Sequence, residues 1–208
     1  VWLGADYAND PLTLEGSLGS AGSEVDALVA HQVRGEVAGY LGLGDEWVVF
    51  MGMPAVLYSD QTNLVGLNGG KQTFPGDLRI GARWRFLRVA DGLFDAGVQL
   101  SGLLPIAEWS SDDQLYAGEA GPAMHAELLL QQRIGGIFVI RETVGAMVRE
   151  ESQLENLVAS DALTYGLGLS AELLDRRLAI YTEAFGSTRF EDFAERETSP
   201  LEVLGGLR

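Results

Sequence analysis

Asp77-Leu78-Arg79-Ile80-Gly81-Ala82-Arg83-Trp84-Arg85-Phe86 is the stretch that decides the fold. Its odd positions, Asp77, Arg79, Gly81, Arg83 and Arg85, carry four charges and a glycine; its even positions, Leu78, Ile80, Ala82, Trp84 and Phe86, are wholly apolar. Side chains of a strand alternate between faces with period two, so this is a strand with one polar wall and one hydrophobic wall. A helical period would scatter the arginines around the circumference.

The pattern continues outward. After Ala90-Asp91-Gly92, a tight-hairpin signal, Phe94, Ala96, Val98, Leu100, Gly102, Leu104 and Ile106 form one face, and Leu93, Asp95, Gly97, Gln99, Ser101, Leu103 and Pro105 form the other. The same unit recurs in Val25 to Leu43, Trp47 to Tyr58, Pro122 to Arg133, Ile137 to Arg149, Ala162 to Leu173 and Leu178 to Ser187. A first strand covers Val1 to about Ala8, extending toward Glu15, and Leu201 to Arg208 opens a last one, which makes ten strand-like segments. The first hairpin's arms span about 12 to 15 residues, against ~5–6 for a typical globular strand. Short links at 43–46, 90–92, 134–136 and 174–177 alternate with long ones at about 16–24, 59–76, 108–121, 150–160 and 188–199. Short turns at one end and long loops at the other predict an all-β, up-and-down antiparallel transmembrane β-barrel.

Composition narrows the alternatives. The chain has 208 residues, enough for one domain over 1–208. It has no Cys, which excludes disulfides, thiolate metal sites and a Cys nucleophile, and its two His, His31 and His125, are too few for a His-rich metal cluster. A formal charge of -16 argues against nucleic-acid partners. Of 14 basic residues only Lys71 is lysine, so nearly all positive charge is arginine, which suits fixed ion pairing. No apolar run is long enough for a membrane helix, and the first residues do not read as a leader.

Alternation alone fits a soluble barrel too, but there the apolar face points inward and the outer face is rich in charge. Here the polar faces carry few charges, diluted with Gly, Ser and Thr, and the apolar faces are nearly free of charge. Small polar residues suit the limited width of a barrel interior. The expectation is therefore apolar out, polar in. Aromatics near short turns (Trp2, Trp47, Phe94, Phe138) and near long loops (Tyr58, Phe74, Trp109, Tyr116, Phe185, Phe190) fit two interfacial girdles. Glu142 and His31 are the exceptions, both at apolar-face positions.

Several segments carry a family resemblance: Ala5-Asp6-Tyr7-Ala8-Asn9-Asp10-Pro11-Leu12, Leu41-Gly42-Leu43-Gly44-Asp45 leading into Met53-Pro54-Ala55-Val56-Leu57-Tyr58, Gly76-Asp77-Leu78-Arg79, Glu183 with Gly186-Ser187-Thr188, and Pro200-Leu201-Glu202 leading to Gly206-Leu207-Arg208. Together they resemble the β-barrel domain found ahead of a peptidoglycan-binding domain in outer membrane protein A-like proteins of myxobacteria and relatives. The resemblance implies a bacterial outer membrane location and a structural or passive-pore role. It also implies a further strand pair after Arg208, so the expectation is ten strands of a twelve-strand barrel, with a closed ten-strand barrel as the alternative. The expected partners are membrane lipid and lipopolysaccharide, and a protein partner or missing strands that close the barrel.

The candidate site is the set of charges on the polar walls: Arg34, Glu36, Arg79, Arg83, Arg85, Asp95, Glu127, Arg133, Arg141, Glu172, Glu183, Glu202 and Arg208. Confined charges must be paired or wet, so these should form a network that fills the lumen or lines a narrow pore with an ion preference. Arg79, Arg83 and Arg85 are expected to face Asp95 across their hairpin. Acids crowd the long links (Glu108, Asp112, Asp113, Glu119; Glu150, Glu151, Glu155, Asp161; Glu191, Asp192, Glu195, Glu197) and read as a hydrated surface without calcium-loop spacing. No metal, cofactor or catalytic residue is assigned. His125 and Glu127, two apart on one face, are the only pair suited to general-base chemistry, and there is no Ser elbow for a hydrolase. Adhesion or partner docking through the long loops is the alternative function.

Overall fold

In the computed structural model, residues 2–15, 25–61, 70–110, 121–154, 157–173, 178–191, 199 and 201–207 are described. The strands are β1 (Trp2–Glu15), β2 (Val25–Leu43), β3 (Trp47–Gln61), β4 (Gly70–Pro75), β5 (Leu78–Val89), β6 (Phe94–Leu104), β7 (Ala123–Ile134), β8 (Phe138–Val148), β9 (Ser152–Leu154), β10 (Leu157–Ala159), β11 (Ala162–Leu173), β12 (Leu178–Arg189) and β13 (Leu201–Leu207). One short helix, α1 (Ile106–Ser110), follows β6. The order in the main sheet is β1-β2-β3-β5-β6-β7-β8-β11-β12-β13, with β4 beside β3. Each strand on that path neighbours the next, which is the up-and-down antiparallel topology of β-barrel folds. All ten expected segments are present on the path.

Three elements were not expected. β4 lies inside the link read as 59–76, the β9–β10 hairpin inside 150–160, and α1 where Ile106 was read as strand. The turn read at 174–177 lies outside the described residues.

The turns follow from their residues. Gly135 and Gly136 both have positive φ (61° and 72°), a backbone conformation glycine adopts freely, in the turn closed by the Ile137 N–H donating to the Ile134 carbonyl at 3.4 Å. Gly92 (φ 93°) ends the short 3-10 turn between β5 and β6.

The chain divides into two compact units: Val1–Tyr40, Met51–Arg79 and Leu103–Gly121 form one; Leu41–Phe50, Ile80–Gly102 and Pro122–Arg208 form the other. In the first, β1 pairs with β2 with a register shift between Asn9 and Leu12, at Asp10-Pro11, where proline lacks the N–H a regular ladder needs. Asp77, expected on the polar wall beside the arginines, is buried, and its carboxylate accepts the Ala107 N–H at 3.3 Å.

In the second unit β7, β8, β11, β12 and β13 pair in succession without a register shift. The registers align residues into rows. On the polar face, Glu127, Gly145, Thr164 and Ser187 form one row, and Gln131, Arg141, Gly168 and Glu183 another. On the other face, Leu130, Glu142, Leu167, Ala184 and Val203 form a row.

Burial sets these faces apart. In β6, Gln99 and Ser101 are 7% and 2% exposed, while Val98 and Leu100 are 40% and 53% exposed. The other buried side chains of this unit are mostly small, among them Ala96, Ala123, Ala162, Ser170 and Ala179, whereas Trp84, Phe86, Leu128, Val144 and Ile180 are exposed. This reverses the pattern of a water-soluble domain, whose large aliphatic and aromatic side chains fill the core. The expected orientation holds within this unit.

Candidate functional site

The polar face of the second unit carries two cross-strand hydrogen-bonded chains. In the first, Arg83 on β5 donates from Nε (3.2 Å) and Nη2 (2.7 Å) to Gln99 Oε1 on β6. Gln99 Nε2 donates to Glu127 Oε2 on β7 at 2.5 Å. Glu127 Oε2 lies 3.6 Å from His125 Nδ1, and His125 Nε2 lies 2.8 Å from Thr164 Oγ1 on β11. The glutamine is a relay: its carbonyl faces the cation and its amide N–H faces the anion, so two opposite charges are satisfied without touching.

The second chain repeats this logic. Arg88 Nε donates to Asp95 Oδ1 at 3.3 Å, Gln131 Nε2 to Asp95 Oδ2 at 3.4 Å, and Arg141 Nε to Gln131 Oε1 at 3.1 Å. Again an amide bridges a carboxylate and an arginine. Nearby, Arg133 Nη1 and Nη2 reach Glu172 Oε2 and Oε1 at 2.6 and 3.5 Å, a two-pronged ion pair across β8. Arginine suits it because its planar fork matches the two carboxylate oxygens.

Glycine makes the first chain possible. Gly145 sits in register between Glu127 and Thr164. A Cβ there would lie 2.8 Å from Glu127 Cγ, 2.7 Å from Thr164 Oγ1 and 2.6 Å from the Ala126 carbonyl. The bare backbone lets His125 reach over β8 to Thr164. A cavity of about 350 Å³ opens beside this chain, lined by His125, Glu127, Thr143, Thr164, Ser187 and Glu202 among others.

The remaining candidates separate. Arg85 Nη2 donates to the Asp45 carbonyl, at the turn between β2 and β3. Arg34 Nε donates to Gln32 Oε1 at 2.6 Å, and Glu36 makes no ion pair among the described residues. Arg79 is half-buried near the start of β5. Glu183 lies in register between Gly168 and Leu204, and Glu202 opposite Phe185; neither forms an ion pair among the described residues. Arg208 lies outside them, as do the loop acids Asp112, Asp113, Glu119, Glu155, Asp192, Glu195 and Glu197. The expected facing of Arg79, Arg83 and Arg85 to Asp95 is not what forms: Arg88 and Gln131 hold Asp95, and Arg83 is engaged one relay away from Glu127.

Attention to formal charge missed the uncharged connectors Gln99, Gln131 and Thr164. Their parity on the polar walls was the available signal. Arg88 was missed because it sits next to the turn, where strict alternation ends. Among the described residues, no group of three or more His, Asp or Glu could hold a metal ion.

The opposite face is apolar and includes aromatics. Trp47 and Trp84 stack at 5.6 Å between ring centroids, 12° from parallel, with Phe86 5.8 Å from Trp84. Glu142 interrupts this face as parity required. Its strand neighbours are Leu130 and Leu167, and it has no ion-pair or hydrogen-bond partner among the described residues.

No protein-family model matches the chain, and no curated protein matches it.

Proposed function

We propose that this chain is a transmembrane barrel domain of a bacterial outer membrane protein. Its apolar wall meets lipid and lipopolysaccharide, and its polar wall lines a narrow, wet lumen with a structural or passive small-solute and ion-pore role. The observation that carries the reading is the alternation in β6: Val98 and Leu100 exposed, Gln99 and Ser101 buried. Water would strongly disfavour so large an apolar face, and a bilayer favours it. In a bilayer every backbone polar group must be paired, which strands achieve only in a closed barrel. The resemblance to outer membrane protein A-like barrels supports the same location.

The two polar chains support a lumen role. They neutralise most of their charges in fixed geometry, and a cavity opens beside the first of them. A non-enzymatic function fits best: the hydroxyl, imidazole and carboxylate of Thr164, His125 and Glu127 come together, yet all three sit on paired strands, where backbone N–H groups serve the ladder rather than a reacting oxyanion. Single-channel recording of purified barrel in planar bilayers tests the pore. Discrete conductance steps are expected, and their absence from folded barrel would contradict a pore and leave a structural role.

A further inference from the structure

We propose that His125 sets the ion preference of the lumen and makes it depend on pH; this deepens the pore reading above and rests on it. His125 is the only described histidine on the polar face, since His31 has apolar-face parity. It lies between a carboxylate and a hydroxyl, with Glu127 Oε2 3.6 Å from Nδ1 and Thr164 Oγ1 2.8 Å from Nε2, and it lines the cavity.

The charged and titratable groups around it come from each neighbouring strand. On its own strand it is Glu127. β13 contributes Glu202 to the same cavity, and Tyr165 of β11 borders it from a position in register with Val144 on the apolar side. β8 carries Arg141 and, just past its end, Arg149 on the polar side, and presents uncharged Met147 opposite His125. β6 presents Gln99, which ties Glu127 to Arg83. β12 presents Ser187 at the cavity and Arg189 further along.

With a neutral ring, the cavity wall holds two carboxylates, Glu127 and Glu202, and favours cations. Protonation makes both ring nitrogens donors, one to Thr164 and one toward Glu127, and places a positive charge beside the carboxylate. The carboxylate's attraction for a passing cation is then largely cancelled. No bond is made or broken apart from the transfer of a proton from solvent. Imidazole is the side chain whose ordinary titration lies between about pH 5 and 8, so the lumen should change preference in that range.

Reversal potentials under a potassium chloride gradient, recorded for single channels at about pH 8 and about pH 5, test this. One charge about 7 Å from an ion's path in water alters its local occupancy about threefold, so the cation-to-anion permeability ratio should fall at least about threefold on acidification. His125→Gln should hold the ratio constant, His31→Gln should titrate like wild type, and Glu127→Gln should favour anions more than wild type at both pH values while keeping its pH response. A conducting channel with a flat ratio, or one in which His125→Gln still titrates, overturns the assignment to His125. Absence of any channel overturns the pore reading, and the selectivity role with it.

Discussion

Leu100→Arg separates a lipid-facing from a water-facing outer wall. Leu100 is 53% exposed and lies one residue from the midpoint of the 11-residue strand Phe94–Leu104. At about 3.4 Å per residue and a tilt near 45°, it sits within roughly 3 Å of the height at which the strand is half-way across. At that depth an outward arginine costs about 2–4 kcal/mol, toward the upper end here because snorkelling to either interface is longest from the middle. Reversible unfolding by guanidinium in lipid vesicles should therefore show a folding constant lower by about thirtyfold to a thousandfold. On a wall facing water the same change alters stability by no more than about 0.5 kcal/mol. Gln99→Leu, one residue away, is the companion: it removes the relay between Arg83 and Glu127, and leaving those charged groups short of a partner costs about 1–3 kcal/mol. A Leu100→Arg protein as stable as wild type in vesicles would mean that this wall does not face lipid.

Three further outcomes are expected. Gly145→Val should destabilise by about 1–3 kcal/mol by overpacking against Ala126, Glu127 and Thr164, read by the same unfolding assay, and should also displace the His125–Thr164 contact, read as a changed His125 ring signal by NMR. Glu142→Leu should raise stability in vesicles by about 1–2 kcal/mol, because it removes a carboxylate with no partner among the described residues from the apolar row of Leu130, Leu167 and Val203; a loss of stability would mean that a partner covers Glu142. Arg133→Met should cost about 1–3 kcal/mol, and adding Glu172→Gln should recover part of it, because the first change alone takes the two-pronged cation from a carboxylate that is 11% exposed.

The strands were legible because period-two alternation is local and long: ten runs, nine of them carrying charge, leave little freedom of register, and the meander follows from link lengths. β4 escaped because Gly70–Pro75 has neither alternation nor a β-branched run beyond one threonine, and it ends in proline; it pairs through Ala55, Val56 and the residues beyond. The β9–β10 hairpin has three residues per arm, too few for a period to register. The walls of the site were legible, but not its wiring. Which arginine meets which acid depends on the stagger between strands, and a glutamine's role as bridge depends on what stands on both neighbouring strands. Parity places Gln99 and Gln131 on the polar walls but not as bridges, and it places Asp77 on a polar face without showing that its carboxylate is tied to the backbone of Ala107. Glu142 was legible as an anomaly from parity alone, and the register of β7, β8 and β11 bears out that parity.

Which wall meets lipid decides the rest. Nitroxide side chains placed singly from Ala96 to Gly102 in β6, in barrels folded into lipid vesicles, report it through their accessibility to oxygen and to a water-soluble nickel chelate. Alternation is expected, with oxygen contact peaking at positions 98 and 100 and nickel contact, or immobilisation, at 97, 99 and 101. Nickel contact peaking at 98 and 100 would contradict it.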